Sequence, residues 1–313
     1  MIDNRLHIYF HSNLDDPEQW RQALTDLLGP IHFSVDTTCC NPQSVDIALL
    51  WTTPSKGLAG FTGLRAVLSL GAGINQLDLT TLAPRIPVAR LVDRSLTGTM
   101  VDYARATVFR YHRSLHRYEQ DSRAHRWSFQ PPLAASACTI GVLGLGELGQ
   151  AIAGSLLADG FRVLGWSRSE KTIQGIPSFC GERGLAQIAA QVDILINVLP
   201  LTEYTQGILN NRLFSHFSRP VKLINIGRGD HLVEHDLLAA LHSGQVEAAT
   251  LDVSSIEPLP DSSPLWGHPN ILITPHVAGL SSPESAAAHI ADNIKRAIEG
   301  KTLINQVDLA KGY

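Results

Sequence analysis

The chain of 313 residues is poor in the features that mark specialised proteins. Its four cysteines, Cys39, Cys40, Cys138 and Cys180, include one adjacent pair and no C-x-x-C spacing, which argues against a disulfide framework and suggests four reduced, structural thiols. Neither sign of charge dominates: 25 Lys and Arg against 29 Asp and Glu leave a net charge of −4. Such a chain offers no basic field for a phosphate backbone and no acidic tail, so no nucleic-acid partner is expected. Apolar runs such as DIALLW and VDILINVLP stop well short of the ~20 residues that cross a bilayer. The opening MIDNRLHIYFHS lacks the basic-then-apolar order of a secretion signal. A cytoplasmic protein without membrane contact is the expectation.

What is present is a rhythm. Internal repeats and low-complexity tracts are missing, and at roughly 150 residues per domain the length suggests two domains. Short Val, Ile and Leu runs at residues 6–10, 31–35, 46–51, 66–70 and 88–91 lack polar alternation, as strands do when helices cover both faces of a parallel sheet. A helix is expected over 97–120, with no Gly or Pro after Gly98, followed by a Pro-marked loop at 127–132. A second series of runs follows at 139–143, 161–166, 193–199, 222–226, 248–253 and 270–273. The fold class is therefore α/β with two doubly wound parallel-sheet domains, the second of Rossmann type and the first flavodoxin-like. Pro283 opens and Gly300 closes a last helix. That helix and the tail are expected to pack back on the first domain, giving 1–96 plus 283–313 as one domain and 97–282 as the other.

Gly144-Leu-Gly146-Glu-Leu-Gly149 stands directly after one of these runs and before a helical pattern at 150–159. In a strand-to-helix turn Gly144 permits the tight bend, Gly146 lets a pyrophosphate approach the backbone, and Gly149 lets helix pack on strand. The phosphates would sit on amides at the helix start. The next strand ends Trp166-Ser167-Arg168-Ser169-Glu170-Lys171. No acid stands at its tip to claim a ribose 2′-hydroxyl, whereas Ser167, Arg168 and Lys171 suit a 2′-phosphate through charge-assisted hydrogen bonds. NADP is the expected cofactor, with NADPH preferred. Glu170 keeps NADH possible as an alternative.

Three residues follow three successive strands of the second series: Arg228, Glu257 and His276. In an open α/β sheet ligands bind at the carboxyl ends of strands, so all three point to one cofactor-containing cleft. Arg228 can bind an anionic group, and cationic His276 can donate a proton. Glu257 can fix the orientation of the imidazole and favour its charged form.

The stretches VLGLGELGQ, INIGRGDHLVEHDLLAAL, LDVSSIEPLPDSSPLWGHPNILITPHVA and QVDLAKGY, with LLWTTP, SLGAGINQLD and MVDYA in the first half, resemble the D-2-hydroxyacid dehydrogenases of the glyoxylate/hydroxypyruvate reductase A type. The likeness spans nearly the whole chain. It departs at Ser254, where an aromatic is usual, and at Gly227, where a small side chain is usual. It implies Arg228, Glu257 and His276 as the catalytic residues. It further implies cofactor contacts from Gly144, Leu145, Gly146, Glu147, Leu148, Gly149, Ser167, Arg168 and Lys171, and from Leu199, Pro200, Ile226 and Asp252. Substrate contacts would come from Trp51, from the Gly71–Ala72–Gly73–Ile74 turn whose amides suit an anion, and from Arg228 and His276. Also implied are a small 2-oxo or 2-hydroxy acid as substrate, a homodimer through the nucleotide domain, and closure around the substrate.

Other patterns lead elsewhere. His231-Leu-Val-Glu234-His235 spells the H-x-x-E-H of some zinc peptidases, but a helix starting near Glu234 would turn the two imidazoles apart, so no metal is expected. His112 and His116 would share a solvated or dimer-facing helix face. A nicotinamide-nucleotide sensor with little turnover uses the same fold and stays open as an alternative. A methyltransferase would leave Arg228, Glu257 and His276 without a role.

Overall fold

The structure is a computed structural model, and it describes residues 5–35, 41–279 and 281–309. Cys39 and Cys40 lie outside the described residues. The chain divides into two units, one drawn from Met1–Leu96 with Leu280–Tyr313 and the other from Thr97–Gly279.

The first unit runs β1 (His7–His11), α1 (Pro17–Leu28), β2 (His32–Ser34), β3 (Ile47–Leu50), β4 (Ala66–Ser69) and β5 (Val88–Ala89). Its strands pair in parallel in the order β2-β1-β3-β4-β5, the flavodoxin-like arrangement. Every residue of β3 and β4 is buried, because helices cover one face and loops the other. Helix α1 begins where the Asp16 side chain accepts the Glu18 amide and Pro17 fixes the first turn, and it ends at Gly29 with φ 80°. It buries Trp20 and Leu24. Against the same core lies the final helix, Pro283–Ile298, which Ser282 caps and which buries Ala286, Ala287, Ile290, Ala291 and Ile294. Small residues on that face let it seat closely on the sheet. Truncating Trp20, fully buried at this centre, would cost about 3–5 kcal/mol.

The chain continues through α2 (Arg94–His112), α3 (Leu115–Arg123), β6 (Thr139–Leu143), α4 (Glu147–Ala158), β7 (Arg162–Ser167), β8 (Ser178–Cys180), α5 (Gly181–Ala189) and β9 (Ile194–Asn197). It goes on with α6 (Asn211–Phe214), β10 (Val221–Asn225), α7 (Glu234–Ser243), β11 (Val246–Leu251) and β12 (Ile271–Ile273). The seven strands are all parallel, in the order β12-β11-β10-β9-β6-β7-β8. This is the doubly wound dinucleotide-binding order, with its reversal between β9 and β6. Alternate side chains feed opposite cores: Leu195 and Leu223 join one, Ile194, Ile196 and Ile224 the other.

The helix expected over 97–120 is in fact two. It breaks at Ser114, which adopts a left-handed conformation (φ 55°), and the bend lets Arg110 pair with Glu119 across the break. His116 is correspondingly not on a solvated face: it is buried, with Nε2 3.2 Å from Glu247 Oε1. Strand β8 departs from expectation, since it is a three-residue edge strand with no fully buried side chain. Helix α4 starts three residues before the pattern at 150–159, at Glu147. Burial pushes the Cys138 thiol up to about 12, whereas Cys180 is exposed, and both are free. Among the described residues, no helix is long and apolar enough to cross a membrane.

Candidate active site

The glycine-rich turn joins β6 to α4, at the strand where the sheet order reverses. Gly144 has φ 105°, and a Cβ there would lie 2.9 Å from the Val198 carbonyl oxygen. A Cβ on Gly149 would come within 1.7 Å of the Gly144 oxygen, so α4 can seat on β6 only with glycine there. Gly146 differs, because a Cβ on it would meet nothing within 4 Å. It caps α4 without a side-chain hydrogen bond, and the space beside it is open. This is the cradle a pyrophosphate needs.

At the end of β7, Ser167 is buried and its hydroxyl donates to the Ser169 carbonyl at 2.7 Å. Arg168 is exposed beside it. The Lys171 ammonium reaches back to the Leu145 carbonyl at 2.8 Å, tying the strand tip to the glycine turn. A cavity of about 570 Å3 opens next to Arg168, between Trp166, Leu185, Tyr204 and Leu213, and none of Arg228, Glu257 or His276 lines it.

Those three residues follow neighbouring strands, Arg228 after β10, Glu257 after β11 and His276 after β12. Glu257 Oε2 lies 2.8 Å from His276 Nδ1, and Glu257 Oε1 accepts the Ser254 amide at 3.0 Å. Burial pushes the Glu257 carboxyl up, but the hydrogen bonds from His276 and Ser254 and the charges of His276 and Arg228 outweigh it, so the group sits below the usual carboxylate range. Burial draws the Arg228 guanidinium below its ordinary value, and the charge of Glu257 opposes that.

His276 sits at φ 55°, in a region non-glycine residues rarely adopt, and Asp252 is what holds it there. The Asp252 carbonyl accepts the His276 amide at 2.8 Å, while its carboxylate accepts Thr274 Oγ1 at 2.6 Å and the Val277 and Ala278 amides at 2.9 Å. Tyr103 adds a hydrogen bond to Thr274 at 2.6 Å. The visible work of Asp252 is to fix this loop. Leu199 and Ile226 are buried near the ends of β9 and β10, and Pro200 is exposed after β9.

In the first unit, Trp51 follows β3 and packs on Gly71, where a Cβ would lie 2.6 Å from the indole. The Gly71 amide donates to Ser69 Oγ at 3.2 Å. Of the amides in the turn expected to meet an anion, that of Gly71 is thereby engaged within the turn itself.

Sequence reasoning missed the support beneath Arg228. A Cβ on Gly229 would lie 1.9 Å from the Ser254 backbone, so the loop after β11 closes on the loop after β10 only with glycine at that position. His231, read as half of a zinc pattern, is fully buried, while the His235 side chain is 85 % exposed. Burial of polar side chains is the signal, and a linear sequence does not carry it.

A doubly wound sheet with this turn at its reversal point, and an arginine and a carboxylate–imidazole pair on the adjoining strand ends, defines a dinucleotide-binding oxidoreductase. The pattern of the D-isomer specific 2-hydroxyacid dehydrogenase NAD binding domain matches residues 105–278. A glyoxylate/hydroxypyruvate reductase A from Yersinia enterocolitica is 38 % identical over 98 % of this chain and 100 % of its own length. Among solved structures, a D-isomer specific 2-hydroxyacid dehydrogenase from Xanthobacter autotrophicus Py2, in complex with NADPH and MES, superposes with a TM-score of 0.93 at 36 % identity, covering 99 % of this chain and 100 % of that one. An NADPH-dependent glyoxylate/hydroxypyruvate reductase from Sinorhizobium meliloti, in complex with NADP and sulfate, gives a TM-score of 0.91 at 33 % identity over 99 % and 100 % of the two chains. The chain belongs to the D-isomer specific 2-hydroxyacid dehydrogenase family.

Proposed function

We propose that this protein is an NADPH-preferring reductase of small 2-oxo acids, glyoxylate and hydroxypyruvate among them, giving the 2-hydroxy acids. One observation carries the reading: a carboxylate–imidazole pair at 2.8 Å on strand ends next to the one that bears Arg228, in the same unit as an open glycine-rich turn. The relatives named above support the choice of substrate and cofactor.

NADPH, when bound, supplies the hydride. The residues that would hold it are the turn from Gly144 to Gly149, including Leu145, Glu147 and Leu148, then Ser167, Arg168 and Lys171 toward the 2′-phosphate, with Leu199, Pro200, Ile226 and Asp252 lining the rest. The fit rests on the uncapped start of α4 and the basic strand tip. Arg228 binds the substrate carboxylate and polarises the 2-oxo oxygen. His276 gives that oxygen a proton from Nε2, while Glu257 orients the ring through Nδ1 and stabilises its cationic form. In the first unit, the amides of Ala72, Gly73 and Ile74 suit an anion, and Trp51 packs against Gly71 in the same turn. We place the reaction in the cytoplasm, in a homodimer formed through the nucleotide-binding unit, on which Trp127, Phe129 and Leu133 stand exposed between α3 and β6.

The test is a panel of 2-oxo acids with NADPH and NADH, followed by cofactor absorbance, with Arg228→Ala alongside. Substrate-dependent NADPH oxidation that Arg228→Ala abolishes is the expected result. Tight NADPH binding with no turnover on any 2-oxo acid would overturn it.

A further inference from the structure

Three side chains at the carboxyl ends of the second sheet are polar and wholly buried: Asn197 at the end of β9, Asn225 at the end of β10, and His231 in the short turn after Arg228. Buried polar groups must be paired, and these pair with one another and with two loops. Asn197 Nδ2 lies 2.8 Å from Asn225 Oδ1 and 2.9 Å from His231 Nδ1. Asn225 Oδ1 also accepts the Gly227 amide at 3.3 Å, and Asn225 Nδ2 donates to the Arg228 carbonyl at 3.1 Å. The Arg228 amide donates to His231 Nδ1 at 3.1 Å. On its other side, His231 Nε2 lies 3.2 Å from the Pro200 carbonyl.

The two ends agree on one tautomer. A carbonyl only accepts, so Nε2 carries the hydrogen; the Arg228 amide only donates, so Nδ1 is the acceptor. Burial holds the imidazole down at about 4, which keeps it neutral, with that acceptor intact, at ordinary pH. Gly227 completes the fit, since a Cβ there would sit 2.8 Å from Asn197 Nδ2 and 3.0 Å from His231 Nδ1.

We propose that His231 is a positioning residue that joins the Leu199–Pro200 segment, on the cofactor side, to the backbone of Arg228, on the substrate side, so that one buried ring sets the placement of both. The inference rests on the reading of Arg228 as the substrate ligand and of Leu199 and Pro200 as cofactor neighbours. The Arg228 backbone is held on both sides, its amide by His231 Nδ1 and its carbonyl by Asn225 Nδ2 together with the His231 amide. The guanidinium thus starts from a fixed backbone, which a long flexible side chain needs if it is to bind a carboxylate in one orientation.

The two ring nitrogens can be tested separately. In His231→Asn the carboxamide oxygen reaches the position of Nδ1 and preserves the acceptor for the Arg228 amide, while the link to Pro200 is lost. In His231→Gln the carboxamide nitrogen reaches the position of Nε2 and preserves the link to Pro200, while the Arg228 amide loses its acceptor. The measurements are NADPH dissociation constants by fluorescence without substrate, kcat/KM for glyoxylate, and hydrogen exchange of a peptide covering residues 226–232.

A crossed pattern is expected. His231→Gln should lower kcat/KM by about 5- to 50-fold, the effect of one unsatisfied buried amide, and speed exchange in the peptide while NADPH binding stays within about 3-fold. His231→Asn should weaken NADPH by about 5-fold or more and leave the peptide protected. Should His231→Gln not fold, Asn225→Ala removes the donor to the Arg228 carbonyl and should give the same substrate-side loss. Equal changes in both constants for both His231 variants, or no change in either, would overturn the proposal. Crossed exchange and NADPH binding with unchanged kcat/KM would instead overturn the substrate role of Arg228.

Discussion

Glu257 Oε2 and His276 Nδ1 lie 2.8 Å apart although they follow different strands, and each is fixed by its own loop. Glu257 is held through the Ser254 amide, His276 through the Asp252 carbonyl. Two loops thus hold the pair in place, the kind of preorganisation that lets a proton donor act without reorganisation.

Replacing His276 by Ala should lower kcat by about 10²- to 10⁴-fold with a much smaller effect on NADPH binding. Glu257→Gln keeps the shape of the side chain but loses the carboxylate that orients the imidazole through Nδ1, so kcat should fall in the same direction as in His276→Ala, by about 10-fold or more. A variant as active as the wild type would show that the pair does not act as a unit. Single-turnover measurements keep product release from masking the loss.

Glu247 makes a prediction about stability. Burial pushes its carboxyl up, but the hydrogen bond from His116 and the charges of Lys222 and Arg117 overcome this and hold it at about 2. A depressed carboxylate contributes stability above its unfolded value, and the contribution is lost as pH falls toward the folded value. A fall from 4.5 to about 2 corresponds to about 3 kcal/mol at about 1.4 kcal/mol per unit. Glu247→Gln should therefore cost about that much at pH 7 in urea unfolding, with the penalty shrinking between pH 4.5 and about 2. A penalty independent of pH would mean that the loss is one of packing.

Much of this architecture can be read in the chain because strands buried on both faces are written as unbroken apolar runs. The Ile194 to Ile196 stretch of β9 and Ile47–Leu50 are of that kind. Ser178–Cys180 escaped because an edge strand needs no such run. The break at Ser114 escaped because a serine in a left-handed turn leaves no mark of the sort glycine or proline leaves. At the site, Arg228, Glu257 and His276 stood out as chemistry-bearing residues at strand ends. Their supports did not: Asp252, Asn197, Asn225 and His231 matter through what they touch, and those partners are distant in sequence.

The exposed Trp127, Phe129 and Leu133 predict the oligomer. If this segment is the dimer contact, Trp127→Ser with Phe129→Ser should halve the mass seen by light scattering at micromolar concentration while leaving far-UV circular dichroism unchanged. A wild-type protein that is already monomeric would remove the assignment, and an unaffected dimer would move it to another face.

Cofactor choice should turn on Arg168. No carboxylate stands at the end of β7, where Ser167 is committed to the Ser169 carbonyl and Lys171 to the Leu145 carbonyl. Arg168 is exposed at that tip, and a planar guanidinium suits a 2′-phosphate. A hydrogen bond to a charged group contributes about 1.5–3 kcal/mol, so Arg168→Ala should weaken NADPH by about 10- to 100-fold at about 1.4 kcal/mol per decade. NADH has no 2′-phosphate and should be nearly unaffected. The measurement is the ratio of kcat/KM for NADPH over NADH in the two proteins. A wild-type ratio below one would contradict the preference and turn attention to Glu170 as a ribose partner. A ratio above one that Arg168→Ala leaves unchanged would keep the preference and transfer the phosphate contact to Lys171, whose ammonium would then have to leave the Leu145 carbonyl to make it.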